Sequence, residues 1–182
     1  VEARPGSVAQ FKATLADINK NPISGVDVKF YRNAQYIGAG KTDENGVVAT
    51  NLNIPNIKGN FTLFAYVDES QNYRQSSGEA KLVVSEDAKS STKISISDVS
   101  LYYKDGTRLY ATLTDLAGNP LSNMNASIVI NGIESKRTTG PDGKFSIGIN
   151  LEPGVYPVVA KFNGNSQYGA SSANATVTVK NT

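Results

Sequence analysis

Two glutamates, Glu134 and Glu152, are the carboxylates on which a glycoside hydrolysis would have to rest in this chain. That chemistry needs two carboxyl groups facing each other about 5 to 10 Å apart across the scissile bond. Each of the two lies on or beside an expected strand end, nothing in the sequence pairs them, and no dense polar constellation surrounds either. The chain contains no histidine and no cysteine, so the usual general base, triad partner, thiolate nucleophile and soft metal ligands are all missing. Serines are plentiful, but no nucleophile elbow accompanies them. Asp43 to Gly46 and Asp142-Gly143 offer the oxygen ligands a hard cation takes, yet neither has the spacing of a calcium loop. Both are of the residue types that build turns. No catalytic residue, metal ligand or cofactor is expected, and the chain does not read as an enzyme.

What would position any site is set by a repeat. "ATLADINKNPIS" begins at Ala13 and "ATLTDLAGNPLS" at Ala111, with Ala, Thr, Leu, Asp, Asn, Pro and Ser in register. The similarity continues to Gly46 against Gly143, through "GNFTLFAYV" against "GVYPVVAKF", and on to "NYRQSS" against "QYGASS". A self-similar unit of about 100 residues is a duplicated domain rather than a short solenoid repeat. Two domains are expected, 1–87 and 88–182, joined within the polar stretch "SEDAKSST" (Ser85 to Thr92), a short hinge that sets them end to end.

Within each unit the periodicity is two. Leu109, Ala111 and Leu113 alternate with Arg108, Tyr110 and Thr112; Phe145 to Leu151, Tyr156 to Phe162 and Ala175 to Val179 behave likewise. This is the mark of strands with one face in a core. Asn131-Gly132 reads as a hairpin turn and Gly140-Pro141-Asp142-Gly143 as a type I turn, with Asp43-Glu44-Asn45-Gly46 at the equivalent place. The expected fold is all-β: two tandem immunoglobulin-like β-sandwiches of about seven strands each. The second unit has an alternating stretch, "TKISISDVSLYY", before its Leu109 strand, whereas the first has only "VEARPG" before Val8. Domain 1 is therefore expected to begin late, its first strand belonging to a preceding part of a longer protein. Tyr73 and Tyr168, which recur before the last strands, are expected to plug the sandwich ends through hydroxyl bonds to backbone.

One cluster is not repeated. Burying Phe30 exposes Tyr31, and burying Leu63, Ala65 and Val67 exposes Phe64 and Tyr66. The third and sixth strands are neighbours in such a sandwich, which gathers Tyr31, Phe64 and Tyr66 on one outer face; domain 2 has Val129, Val159 and Lys161 there. Exposed rings stack on sugars or dock a protein, and they also stabilise a sheet through cross-strand pairs.

The pattern D-x-x-x-N-P-[IL]-S followed by T-D-x-N-G resembles the bacterial and archaeal immunoglobulin-like (Big) repeats of cell-surface proteins. "NLEPGVYPVVAKFNG" and "NSQYGASSANATVTV" look most like repeats of adhesin-like surface proteins of methanogenic archaea. The resemblance implies an extracellular, surface-attached spacer that contacts neighbouring repeats, or an adhesive module for a surface glycan or protein of another cell. It also raises a Lys-to-Asn isopeptide bond, for which Lys93 with Asn174 or Asn181 would serve, although no acid catalyst is identifiable. Sequons at Asn60, Asn125 and Asn174 are compatible with glycosylation. A formal charge of +2 with scattered Lys and Arg gives no stripe for nucleic acid, and no segment reads as a signal peptide or membrane anchor.

Overall fold

Alternation does become strand. The computed structural model describes residues 1–181, among which there is no helix. Contacts divide the chain into two units, Val1–Ser90 and Ser91–Thr182. Unit 1 contains β1 (Glu2–Ala3), β2 (Val8–Thr14), β3 (Asp27–Arg32), β4 (Gln35–Lys41), β5 (Val47–Asn53), β6 (Gly59–Val67) and β7 (Ser76–Val84). They form a five-stranded sheet, β1-β7-β6-β3-β4, and a two-stranded sheet, β2-β5. Phe11, Val28, Phe30, Val48, Leu52, Leu63, Leu82 and Val84 fill the space between the two.

Unit 2 contains β8 (Thr92–Ile96), β9 (Val99–Tyr102), β10 (Arg108–Asp115), β11 (Asn125–Ile130), β12 (Ile133–Thr138), β13 (Lys144–Gly148), β14 (Gly154–Phe162) and β15 (Ser171–Lys180). Its sheets are β12-β11-β14-β15-β9 and β13-β10-β8. The inward residues Leu109, Leu113, Ile128, Ala160 and Val177 are fully buried, each of the Leu, Ile and Val side chains contributing roughly 1.5–3 kcal/mol of transfer free energy.

The start of each unit departs from expectation. "TKISISDVSLYY" is two strands, broken at Ser97-Asp98, where the Asp98 carboxylate accepts the Thr176 amide at 2.7 Å. β8 pairs with β10 in one sheet, and β9 crosses to run parallel to β15 in the other. "VEARPG" is not strandless: β1 runs parallel to β7 with Ala3 opposite Val84, as Leu101 lies opposite Val179. The position of β8 is the one without an equivalent in unit 1. The "SEDAKSST" stretch is tied down at both ends. Ser85 donates to the Ala3 carbonyl, and the Thr92 hydroxyl reaches Gly169 O and Ser171 Oγ.

Turn chemistry follows the residues. Asn131 and Gly132 both take positive φ, 50° and 73°, in a two-residue hairpin. Gly143 donates to the Gly140 carbonyl at 2.9 Å, and Gly46 to Asp43 O at 2.9 Å. Tyr73 and Tyr168 differ from expectation, for it is their backbone that recurs. Tyr73 O accepts Ser70 N–H, and Tyr168 O accepts Asn165 N–H, while Ser70 Oγ and Asn165 Oδ1 take the tyrosine amides in return. The Tyr73 ring is exposed, whereas Tyr168 lies against the core of unit 2.

Candidate functional site

Two places hold residues whose arrangement calls for an explanation: the knot where the repeated motifs meet, and the outer face of the five-stranded sheet in unit 1.

In the knot, Asp17 Oδ1 accepts the amides of Asn19 and Asn21 at 2.8 Å, and its other oxygen accepts the Asn21 side-chain amide at 2.9 Å. Asp115 does the same with Asn119, backbone and side chain, both at 2.8 Å. This closes the turn and carries the chain to Pro22 or Pro120, each bridged back to the preceding strand at Ala16 or Thr114. Onto this turn packs the second motif: Leu15 N–H donates to Gly46 O, and Leu113 N–H to Gly143 O. Beside it, buried Thr139 donates its hydroxyl to Leu121 O at 2.6 Å and accepts Met124 N–H at 2.9 Å; buried Thr42 accepts Val26 N–H at 3.0 Å. The two repeated motifs are thus two halves of one structural device, and the Asp, Asn and Thr side chains in it bond to backbone and to one another. Asp43 likewise accepts Asn45 and Val47 amides, and Asp142 the Lys144 amide.

Hydrogen bonding in these turns has a consequence in acid. The Asp17 carboxyl is held below its ordinary value of 3.8 chiefly by the Asn21 side chain, Asp105 by Thr107, and Asp142 by the Lys144 amide. A carboxyl whose folded-state pKa is depressed adds stability above its unfolded pKa and loses it as pH falls through the folded one. The melting temperature is therefore expected to be flat from neutrality to about pH 5 and to fall below about pH 4. Asp17→Asn should flatten part of that fall for unit 1; a melting temperature unchanged down to pH 2.5 would refute the account.

Each of the two glutamates is engaged by neighbouring groups. Glu134 is held below its usual range, first by Ser127 and then by Lys161, with which it pairs at 3.1 Å; a general acid needs the opposite shift. The Glu152 carboxylate accepts the Tyr103 hydroxyl at 2.8 Å, and its carbonyl the Tyr156 hydroxyl at 2.9 Å.

On the outer face of unit 1, Tyr31 lies opposite Phe64 on β6, and Tyr66 lies one step along opposite Lys29. All three rings are half-buried. Tyr36, a ring that strict alternation did not single out, joins them. It lies opposite Tyr31 on β4, 55% exposed, with ring centroids 5.7 Å apart in an edge-to-face contact. The register between β3 and β4 shifts after Phe30, which faces Gly38, so Ile37 is the extra residue. This bulge turns Tyr36 outward and Ile37 toward the core. Tyr36, Tyr31 and Phe64 form a row across three strands, roughly 10 Å wide. A polar rim surrounds it: Lys29 is ion-paired with Asp68, which raises the lysine pKa, and Tyr66 donates its hydroxyl to Gln75 at 3.0 Å. In unit 2, Val129, Val159 and Lys161 occupy the matching places, and Glu134 stands where Tyr36 does. The sequon residues Asn60, Asn125 and Asn174 are all exposed, on β6, β11 and β15.

No family model and no curated protein matches the chain. Among solved structures it is similar to the fibronectin(III)-like modules of Clostridium thermocellum CbhA (16% identity, 99% of this chain and 89% of that one, TM-score 0.37). Tandem Ig repeats of Dlar also match (17%, 100% and 93%, TM-score 0.38), as does the Yersinia pseudotuberculosis adhesin InvE (14%, 97% and 56%, TM-score 0.37). What carries the fold is the strand order itself: in unit 2 a first strand divides between facing sheets and its second half pairs in parallel with the last strand, and in unit 1 β1 pairs in parallel with β7 in the same way. By that order and register the chain is two tandem immunoglobulin-like β-sandwich domains.

Proposed function

We propose that this chain is a non-catalytic pair of structural repeats from an extracellular, adhesin-like surface protein. The observation that carries this reading is the knot: the shared residues Asp17/Asp115, Asn21/Asn119, Thr42/Thr139 and Gly46/Gly143 are spent on folding the unit. Selection for a repeated fold accounts for such residues without a ligand. The motif resemblance to cell-surface Big repeats supports the location, and the exposed sequons fit a secreted chain.

A second reading has an observation of its own. The row Tyr36, Tyr31 and Phe64, with Tyr66 beside it and a rim of Lys29, Asp68 and Gln75, is present in domain 1 alone. Flat aromatic surface edged by a few fixed polar groups suits a glycan or a protein segment of another cell. One experiment separates the two readings. The purified chain is titrated against whole cells and a glycan panel beside a Tyr31→Ala/Phe64→Ala/Tyr66→Ala variant shown to be folded. A structural repeat gives no saturable binding with either. An adhesive face gives saturable binding that drops at least about tenfold in the variant, because each lost ring removes on the order of 1 kcal/mol.

A further inference from the structure

The strand position that β8 fills within domain 2 is open in domain 1. In domain 2, β8 runs antiparallel along β10, with Ile96 opposite Ala111 and Ile94 opposite Leu113, and it closes the gap between the two sheets. In domain 1, β2 pairs with β5 alone among the described residues. Beside it lies a cavity of about 670 Å³, lined by Val1, by β2 from Gln10 onward, by Leu63, Ala65 and Val67 and by Ser76 to Ala80.

Matched residues record what is missing. Ala111, Leu113, Ala160 and Ala175 are at most 9% exposed. Their counterparts Ala13, Leu15 and Ala65 are only half-buried, and Ala80 is exposed. The backbone agrees with the side chains. Leu15 directs its amide and carbonyl toward the β5 side, to Gly46 and Ile23, so alternation turns the peptide groups of Gln10, Lys12 and Thr14 to the open edge. An apolar trough beside a row of unpaired peptide groups is what an added strand requires.

We propose that this groove is a strand-acceptor site: it takes an extended peptide with branched apolar residues at alternate positions, antiparallel to β2, as Thr92–Ile96 lies on β10. The occupant is defined by the groove. Alternate side chains must be uncharged and the size of Ile94 and Ile96 to cover Ala13, Leu15, Ala65 and Ala80, while the intervening ones face water as Lys93 and Ser95 do. A helix would leave the edge peptides of β2 unpaired. The filled site has the geometry of domain 2, so Val1 stands where Val99 follows the Ser97-Asp98 crossing.

The test uses residues 90–98 of this chain as the strand, both as a free synthetic peptide and joined directly ahead of Val1. Amide exchange of Thr14 is the readout, since its counterpart Thr112 lies opposite Ser95 on β8 and only an added strand pairs that group. Slowing of about tenfold or more in the joined form, with a raised melting temperature, is the expected result. The free peptide should give the same protection at higher concentration, because joining raises the effective concentration. Peptides carrying Ile94→Asp and Ile96→Asp should lose the effect, as should Ala80→Glu in the protein, a change at an exposed position that leaves the fold intact. Unchanged exchange in the joined form would overturn the proposal. So would protection that appears without peptide as protein concentration rises, because β2 edges would then be pairing between copies.

Discussion

Gly143→Ala is expected to destabilise domain 2 by about 3 kcal/mol or more and to leave domain 1 untouched. Two costs add. At φ +73° an L-residue is strained by roughly 1–2 kcal/mol. The new methyl would also lie 2.4 Å from the Leu113 carbonyl oxygen and 3.3 Å from the Leu121 amide. Neither is a flexible side chain, and both belong to the bonds that fasten the Asp115 turn to the sheet, so relief requires the knot to come apart. Gly46→Ala does the same to domain 1, where the methyl would sit 2.3 Å from Leu15 O. Gly118→Ala separates the two costs. It is also at positive φ, +91°, but has nothing within 4 Å, so only the strain of about 1 kcal/mol remains. Urea unfolding followed by NMR, with resolved signals from each domain, checks all three; a loss below 1 kcal/mol for Gly143→Ala would mean that the knot is looser than described.

The recurrence of that glycine shows how much was legible in the sequence. Alternation located the strands because one face of each is buried, and Phe30, Leu63, Leu109 and Val177 face inward accordingly. The repeated Asp and Gly were readable as turn residues, since Asx side chains and positive φ have few other uses. That the two turns pack on each other was not readable, because nothing local encodes a contact between Gly143 and Leu113. Tyr36 escaped because the bulge at Ile37 breaks the period of two, and a single extra residue moves every later side chain to the other face. The split of "TKISISDVSLYY" escaped for the same reason: Ile94 and Leu101 both alternate correctly, and only the crossing at Ser97-Asp98 assigns them to different sheets. Tyr73 and Tyr168 misled in another way, by recurring as part of a turn whose chemistry belongs to Ser70 and Asn165.

Leu113→Ala and Leu15→Ala offer the second large effect, and a comparison that one leucine alone would not give. The two side chains hold the same place in the repeat and the same bonds at their backbone, each donating to the glycine of its knot. Leu113 is fully buried beside Ile94 of β8, so its truncation removes apolar contact and leaves a cavity that rigid neighbours on two sheets cannot fill. A loss of about 3–5 kcal/mol is expected. Leu15 is half-buried and lines the open groove, so part of its surface already meets solvent and the vacated volume joins a space that exists. Its truncation should cost about 1–2 kcal/mol, since transfer free energy scales with the area buried and no closed cavity forms. Equal losses at the two positions would mean that domain 1 closes its groove in solution. If Leu15→Ala becomes as costly as Leu113→Ala only when the 90–98 strand is joined ahead of Val1, the added strand has turned a surface into a core, as β8 does for its own domain.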